Sequence, residues 1–306
     1  MISRLEQLVD AASRLGPKRV AVAAAANGLV LKAIQETEEM GFVQPLLVGH
    51  AEEILAEARA IDYSIPPDRI IHTPTKTEAA PRAVELVRAG QADILMKGYL
   101  HTDALLKAAL DPTKGLRTDR LLSHVFLMQV PTYHKLLAVT DAAINIAPDL
   151  IQKASIVQNA VNLMHQLGID RPKVAVLSSV ETINPRIPST IDAACLHKMA
   201  ERGQITGAMV DGPFAFDNAI SRQAALEKGI DSPVSGDADI LLAPDLDAGN
   251  ILSKNLEYLA QAQMAGIVLG ASAPIVLTSR SDPPGARVYS LALAVILTNE
   301  GCCTFE

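Results

Sequence analysis

Ser279, Arg280 and Asp282 fall within one short run, APIVLTSRSDPPGAR at 273–287. Ile275, Val276 and Leu277 read as a buried strand, and Pro283, Pro284 and Gly285 then break regular structure. The three polar groups therefore sit on a turn leaving that strand. A guanidinium keeps its charge, and its planar fork suits two oxygens of one phosphate. The Ser279 hydroxyl can donate to the same group, and Asp282 can accept a proton or orient a cation. Taken alone, the same residues also suit an exposed Arg280–Asp282 ion pair in a proline turn, which contributes little.

Other apolar runs end in chemistry of their own. ADILM is followed by Lys97, Gly98, Tyr99, Leu100, His101 and Thr102. Lys97 supplies charge, and Gly98 lets backbone approach a ligand. Thr102 or Asp103 can cap a following helix, whose free N–H groups favour an anion. Lys107 lies further along that helix, and His101 alone fits a structural role. ADILLAP is followed by DLDAGN, with Asp245, Asp247, Gly249 and Asn250. Two carboxylates without further ligands make no metal site, and acids also suit an ordinary helix N-terminus. AMV is followed by DGPFAFDNA, in which Gly212 and Pro213 make a turn and Asp217 caps the next helix. The chain lacks GxGxxG after its first strand, GxxxxGK[ST], GxSxG and HExxH.

These positions depend on elements that must carry them. RVAVAAA (19–25), QPLLVG (44–49), RIIHT (69–73) and ADILMKG (92–98) each precede a helical pattern, at about 28–40, 51–60, 78–90 and 103–110. Repeated β-α units with short connections predict a largely parallel sheet covered by helices. SHVFLMQV (123–130) and KLLAVTDAAINI (135–146) read instead as two strands joined by a turn at Pro131, an antiparallel pair where the domain can change. A helix at about 150–167 stops at Gly168. The β-α rhythm resumes with strands at 173–179, 205–213, 238–245, 266–270 and 273–279, and helices at about 189–202, 217–229, 249–265 and 285–298. In open parallel sheets ligands bind outside the carboxyl ends of the strands, so the residues just after each run are the ones to read.

The chain has 306 residues, enough for two domains. Aromatic residues are 3% and Trp is absent, so Ala, Leu, Ile and Val must build the core. A net charge of −7 argues against nucleic-acid binding, and an anionic ligand must find a local cationic pocket. Cys195, Cys302 and Cys303 show no zinc spacing and fit a reducing cytoplasm. MISRLEQLVDAASRLG is amphipathic, with no continuous apolar signal region. No stretch of about 18 uncharged apolar residues occurs, so no membrane span is expected.

Together, MKGYLHTDALLKAAL, SHVFLM, VTDAAINIAPDL, KVAVLSSVE, MVDGPFAFDNAIS, ADILLAPDLDAGNILSKNLEYLA and PIVLTSRSD resemble the phosphate acetyltransferase and phosphate butyryltransferase family, in the family's order, over about 92–298. The wording of KGYLHT and TSRSD is closer to butyryl-type members. The resemblance implies reversible transfer, acyl-CoA plus phosphate giving acyl phosphate plus CoA. It also implies two three-layer α/β/α domains with largely parallel sheets and a cleft between them, as in the isocitrate/isopropylmalate dehydrogenase-like fold. One domain would comprise 1–130 with 268–306, and the other 131–267. A homodimer is implied, with no permanently bound cofactor and no metal, CoA being a substrate.

The family's serine–arginine pair falls on Ser279 and Arg280. Its catalytic aspartate has no counterpart at the same spacing, and Asp282 is the nearby candidate. The acetyl-type arginine after the HT turn corresponds, with a one-residue offset, to Lys107, a point charge rather than a fork. Lys97, His101, Thr102, Lys107, Asn145, Asp245, Gly249 and Asn250 are the expected phosphate- and substrate-binding positions. Direct attack in a ternary complex needs no covalent enzyme intermediate. An Asp near pKa 4 is poorly matched to a thiol near 8.5, so Asp282 is either raised by burial or only orients the thiol. Three other readings stand beside this one. They are a metal-dependent dehydrogenase of a phosphorylated hydroxy acid, a non-catalytic sensor of acyl phosphate or CoA, and an acyltransferase using acyl carrier protein, for which no basic docking patch is visible.

Overall fold

The structure, a computed structural model, describes residues 1–279 and 282–299. Its contacts divide the chain into two compact units. The first holds Glu6–Arg120 and the chain from Ala265 on; the second holds Met1–Leu5 and Leu121–Met264. Sequence reading draws these changes at 130 and 267.

The first unit opens with α1 (Glu6–Leu15), which buries Leu8 and Ala12. Then come β1 (Lys18–Ala23), α2 (Gly28–Glu39), β2 (Val43–Gly49), α3 (Ala51–Arg59), β3 (Ile70–His72), α4 (Lys76–Arg88), β4 (Ile94–Lys97) and α5 (Thr102–Ala109). The four strands pair in parallel, in the order β3-β2-β1-β4. Val20, Ala21, Val22 and Ala23 are wholly buried in β1, as expected of a strand covered on both faces.

The second unit begins with β5 (Ser123–Gln129) and β6 (Leu137–Thr140), an antiparallel pair with Phe126 opposite Val139. The strand expected over 135–146 thus ends at Thr140, because the carboxylate of Asp141 gathers the N–H groups of Ala143 and Ile144 into a turn. Next is α6 (Leu150–Gln166), with a capping box between Asp149 and Gln152 at its start and Gly168 in the left-handed region just past its end. It is followed by β7 (Lys173–Leu177), α7 (Pro188–Glu201), β8 (Met209–Phe214), α8 (Phe216–Ile220), α9 (Arg222–Glu227), β9 (Ile240–Leu242) and α10 (Leu246–Tyr258). The strand order is β5-β6-β9-β7-β8, parallel after the first pair. Two expectations change here. The single helix expected at 217–229 is two, broken at Ser221, whose extended backbone and hydroxyl cap α9. Asp217 lies inside the first turn of α8, and Ala215 holds the cap position.

The chain then returns. β10 (Gln263–Leu269) begins where α10 was expected to continue, β11 (Ile275–Val276) is short, and α11 (Pro284–Leu297) closes the described chain. β11 lies parallel to β4, with Ile275 opposite Leu95, and antiparallel to β10. α11 packs on α1 and α2. Leu291, Ala292, Leu293, Ala294 and Val295 are wholly buried. No described helix is long and apolar enough to cross a membrane.

Candidate active site

In the first unit, β1, β4 and β11 run parallel, so their carboxyl ends meet at one edge. The turns leaving them are built closely together. Gly98 and Tyr99 donate to Ala23 O and Ala24 O, both at 2.8 Å. A Cβ at Gly98 would stand 2.3 Å from Ala24 O, so only glycine allows this approach. Asn27 accepts from Val30 N at 3.2 Å and caps α2. A pocket of about 120 Å3 opens at this edge, lined by Asn27, Lys97, Gly98, Tyr99, Ser279 and Arg287 among others.

Three hydrogen bonds hold Ser279, just after β11. Ser279 N donates to Asp282 Oδ2 at 2.6 Å, and Asp282 N to Ser279 O at 3.4 Å. Arg287 Nη2 donates to Ser279 O at 3.0 Å. Asp282 is 8% exposed, Lys97 6% and Arg287 4%. Burial lowers the pKa of Arg287, and the charge of Asp282 opposes that shift. Among the described residues, Arg287 Nε is buried without a hydrogen-bond partner. Among the described residues, two buried cations stand with one buried carboxylate at this edge, which suits it to an anion. Arg280, singled out from the sequence, lies outside the described residues.

A second cluster stands at the strand ends of the other unit. Asp141 is 3% exposed and accepts from His124 N at 3.2 Å, Ala143 N at 2.9 Å, Ile144 N at 3.0 Å and Asn145 Nδ2 at 2.6 Å. Asn145 Nδ2 also donates to Leu122 O at 2.9 Å. The segment is knit to the start of α10. Leu246 N donates to Ile146 O at 3.0 Å, and Asn250 Nδ2 to Ala142 O at 3.2 Å. A Cβ on Gly249 would meet Asp141 O at 2.4 Å. Asp245 caps α10 by accepting from Ala248 N at 2.9 Å, and Asp247 lies in its first turn. Among the described residues, no three His, Cys, Asp or Glu side chains gather where they could hold a metal.

The structure thus brings Lys97 and Ser279 to one pocket, with Asp282 braced beneath the turn. Asn145, Asp245, Gly249 and Asn250 cohere in the second unit. His101 and Lys107 are exposed and do not line the pocket; nor does Thr102, the half-buried first residue of α5. The cap expected from Thr102 or Asp103 is absent, and His101 occupies that place without a side-chain bond. Sequence reading passed over Asn27, Asp141 and Arg287. Arg287 did leave a signal, as the single charged residue of α11.

Comparison with known proteins follows the same lines. The family pattern described as "Phosphate acetyl/butaryl transferase" matches residues 68–295. A phosphate acetyltransferase of Rickettsia typhi is 50% identical over 290 residues, covering 94% of this chain and 83% of the relative. A phosphate butyryltransferase of Clostridium acetobutylicum is 41% identical over 297 residues, covering 97% of this chain and 99% of the relative. The crystal structure of a branched-chain phosphotransacylase from Enterococcus faecalis superposes with a TM-score of 0.80 at 31% identity, covering 92% of this chain and 99% of that one.

Proposed function

Because the chain belongs to the phosphate acetyl/butyryltransferase family, and is thereby an acyltransferase, we propose that it moves a short acyl group, acetyl or butyryl, between CoA and inorganic phosphate. The observation that carries the reading is the pocket in which buried Lys97 and the Ser279 of TSRSD meet at the ends of β4 and β11. Family membership says that a phosphate oxyanion must be bound, and this pocket is cationic and bears a hydroxyl within an acidic chain.

In the direction of acyl-CoA formation, the CoA sulfur attacks the carbonyl carbon of acyl phosphate. A C–S bond forms, the bond between the acyl carbon and the bridging oxygen breaks with its electron pair leaving on phosphate, and the thiol proton ends on the departing phosphate, giving hydrogen phosphate. Lys97 and Arg280 offset the charge on the departing phosphate, and Ser279 donates to it or to the developing oxyanion. Loss of one preorganised donor of this kind typically costs about 10²–10³ in rate. Asp282 is given a positioning role, since its Oδ2 accepts from Ser279 N. Both substrates bind together, and no acyl-enzyme forms.

The test is a thiol-release assay with acetyl-CoA, butyryl-CoA and a branched acyl-CoA, each with and without inorganic phosphate. Release strictly dependent on phosphate is expected with at least one of the straight-chain substrates. Phosphate-independent release, or none with any of the three, would remove the proposal. The same preparation is expected to run at dimer mass in light scattering, with exposed Ile146, Ile151, Ile251 and Leu259 available as interface; monomer mass would end that part.

A further inference from the structure

Arg287 closes the run APIVLTSRSDPPGAR with no role given to it so far, yet it is the most buried charge at the pocket. Its guanidinium serves two directions. Nη2 holds the Ser279 carbonyl, which fixes the plane of the group. Nε–H is buried without a partner among the described residues, in a side chain that lines the pocket. A buried charged donor left unsatisfied is costly, and an oxyanion in the pocket would offer it an acceptor. The N-terminus of α2, capped by Asn27, lines the same pocket and adds the positive end of a helix. The pocket volume of about 120 Å3 is roughly ten times the 10–15 Å3 that one water needs, enough for a small oxyanion.

We propose that Arg287 is a phosphate-binding residue of this enzyme, its Nε–H donating to the phosphoryl group that Ser279 and Lys97 also face. The inference rests on the acyl-transfer reading for the identity of the anion. It commits to inorganic phosphate, or the phosphoryl end of acyl phosphate, rather than to the phosphates of CoA. The charge of Asp282 acts on the same guanidinium and opposes the loss of its proton.

Calorimetric titration of the full chain with inorganic phosphate tests the idea without any turnover. Arg287→Gln is expected to weaken phosphate binding at least tenfold, and Arg287→Lys to fall between it and the wild type, since lysine keeps charge but not the fork. In the assay, the KM for phosphate is expected to rise by a similar factor while the KM for acyl-CoA stays within about twofold. A strut that only braced Ser279 would lower kcat or melting temperature and leave phosphate affinity alone; that result overturns the proposal. A rise confined to the KM for acyl-CoA also overturns it, by assigning the pocket to CoA. Should Arg287→Gln fail to fold, unchanged phosphate affinity in Arg287→Lys is the overturning result. Phosphate binding that depends on Arg287 in a chain inactive with every acyl-CoA would sustain this proposal while removing the acyl-transfer reading.

Discussion

At the scale of single residues, Asp282 separates two chemistries. Its Oδ2 accepts from Ser279 N and its charge faces Arg287. An asparagine can still accept through Oδ1, whereas alanine cannot. A positioning role therefore predicts that Asp282→Asn lowers kcat/KM several-fold while Asp282→Ala lowers it far more, and that the acid limb of the pH–rate profile survives in Asp282→Asn. If Asp282 were the general base, both variants would fall equally and that limb would vanish. Lys97, out of place at the end of an apolar strand, drew notice in the sequence and lies at the pocket. Residue type was a poor guide for Asp141 and Asn27, whose importance lies in the backbone groups their side chains satisfy. Nothing in VTDAAIN says that its aspartate collects four donors, one of them from His124 on another strand.

At the scale of elements, the strand-end turns owe their shape to close approaches. Gly98→Ala would push a Cβ to 2.3 Å from the carbonyl of Ala24, where only backbone can yield. We expect a loss of about 1–3 kcal/mol in stability, together with loss of phosphate-dependent turnover as Lys97 and Tyr99 are displaced. Unchanged melting and kcat/KM would show that the edge tolerates a Cβ there. The helices and buried strands were legible because their periodicity is local, and most fell within a few residues of expectation. Three things escaped. The strand ending at Thr140 was overrun because Ala142, Ala143, Ile144 and Ile146 continue its apolar character through a turn. The break at Ser221 was missed because its neighbours are all helix formers. The end of α10 was missed because Gln261 takes a left-handed backbone without being glycine, φ 55°. Each was settled by hydrogen bonds or dihedrals that composition does not encode.

At the scale of the whole molecule, charge placement sets the response to acid. Burial by itself would raise the pKa of Asp237, but hydrogen bonds from Lys173, Lys135 and His134 outweigh it and hold the carboxyl well below the usual range. A folded-state pKa below the unfolded one means stability that is present above about pH 4 and lost as pH falls further. Asp237→Asn should therefore melt a few degrees below the wild type at pH 7, with the gap closing between pH 4 and 2. A gap that is constant over that range would show that the ion cluster is not titrating. Another property of the molecule follows from its path. The first unit lacks β11 and α11 until the chain has passed through nearly all of the second. With synthesis at about 5–20 residues per second, the stretch from Arg120 to Ala265 takes on the order of ten seconds. Throughout that interval a nascent β4 waits with one flank unpaired and α1 with its apolar face uncovered. A ribosome that stalls before the return segment emerges leaves a product without the Ser279 and Arg287 wall of the pocket, so no truncated chain that stops short of α11 can assemble it.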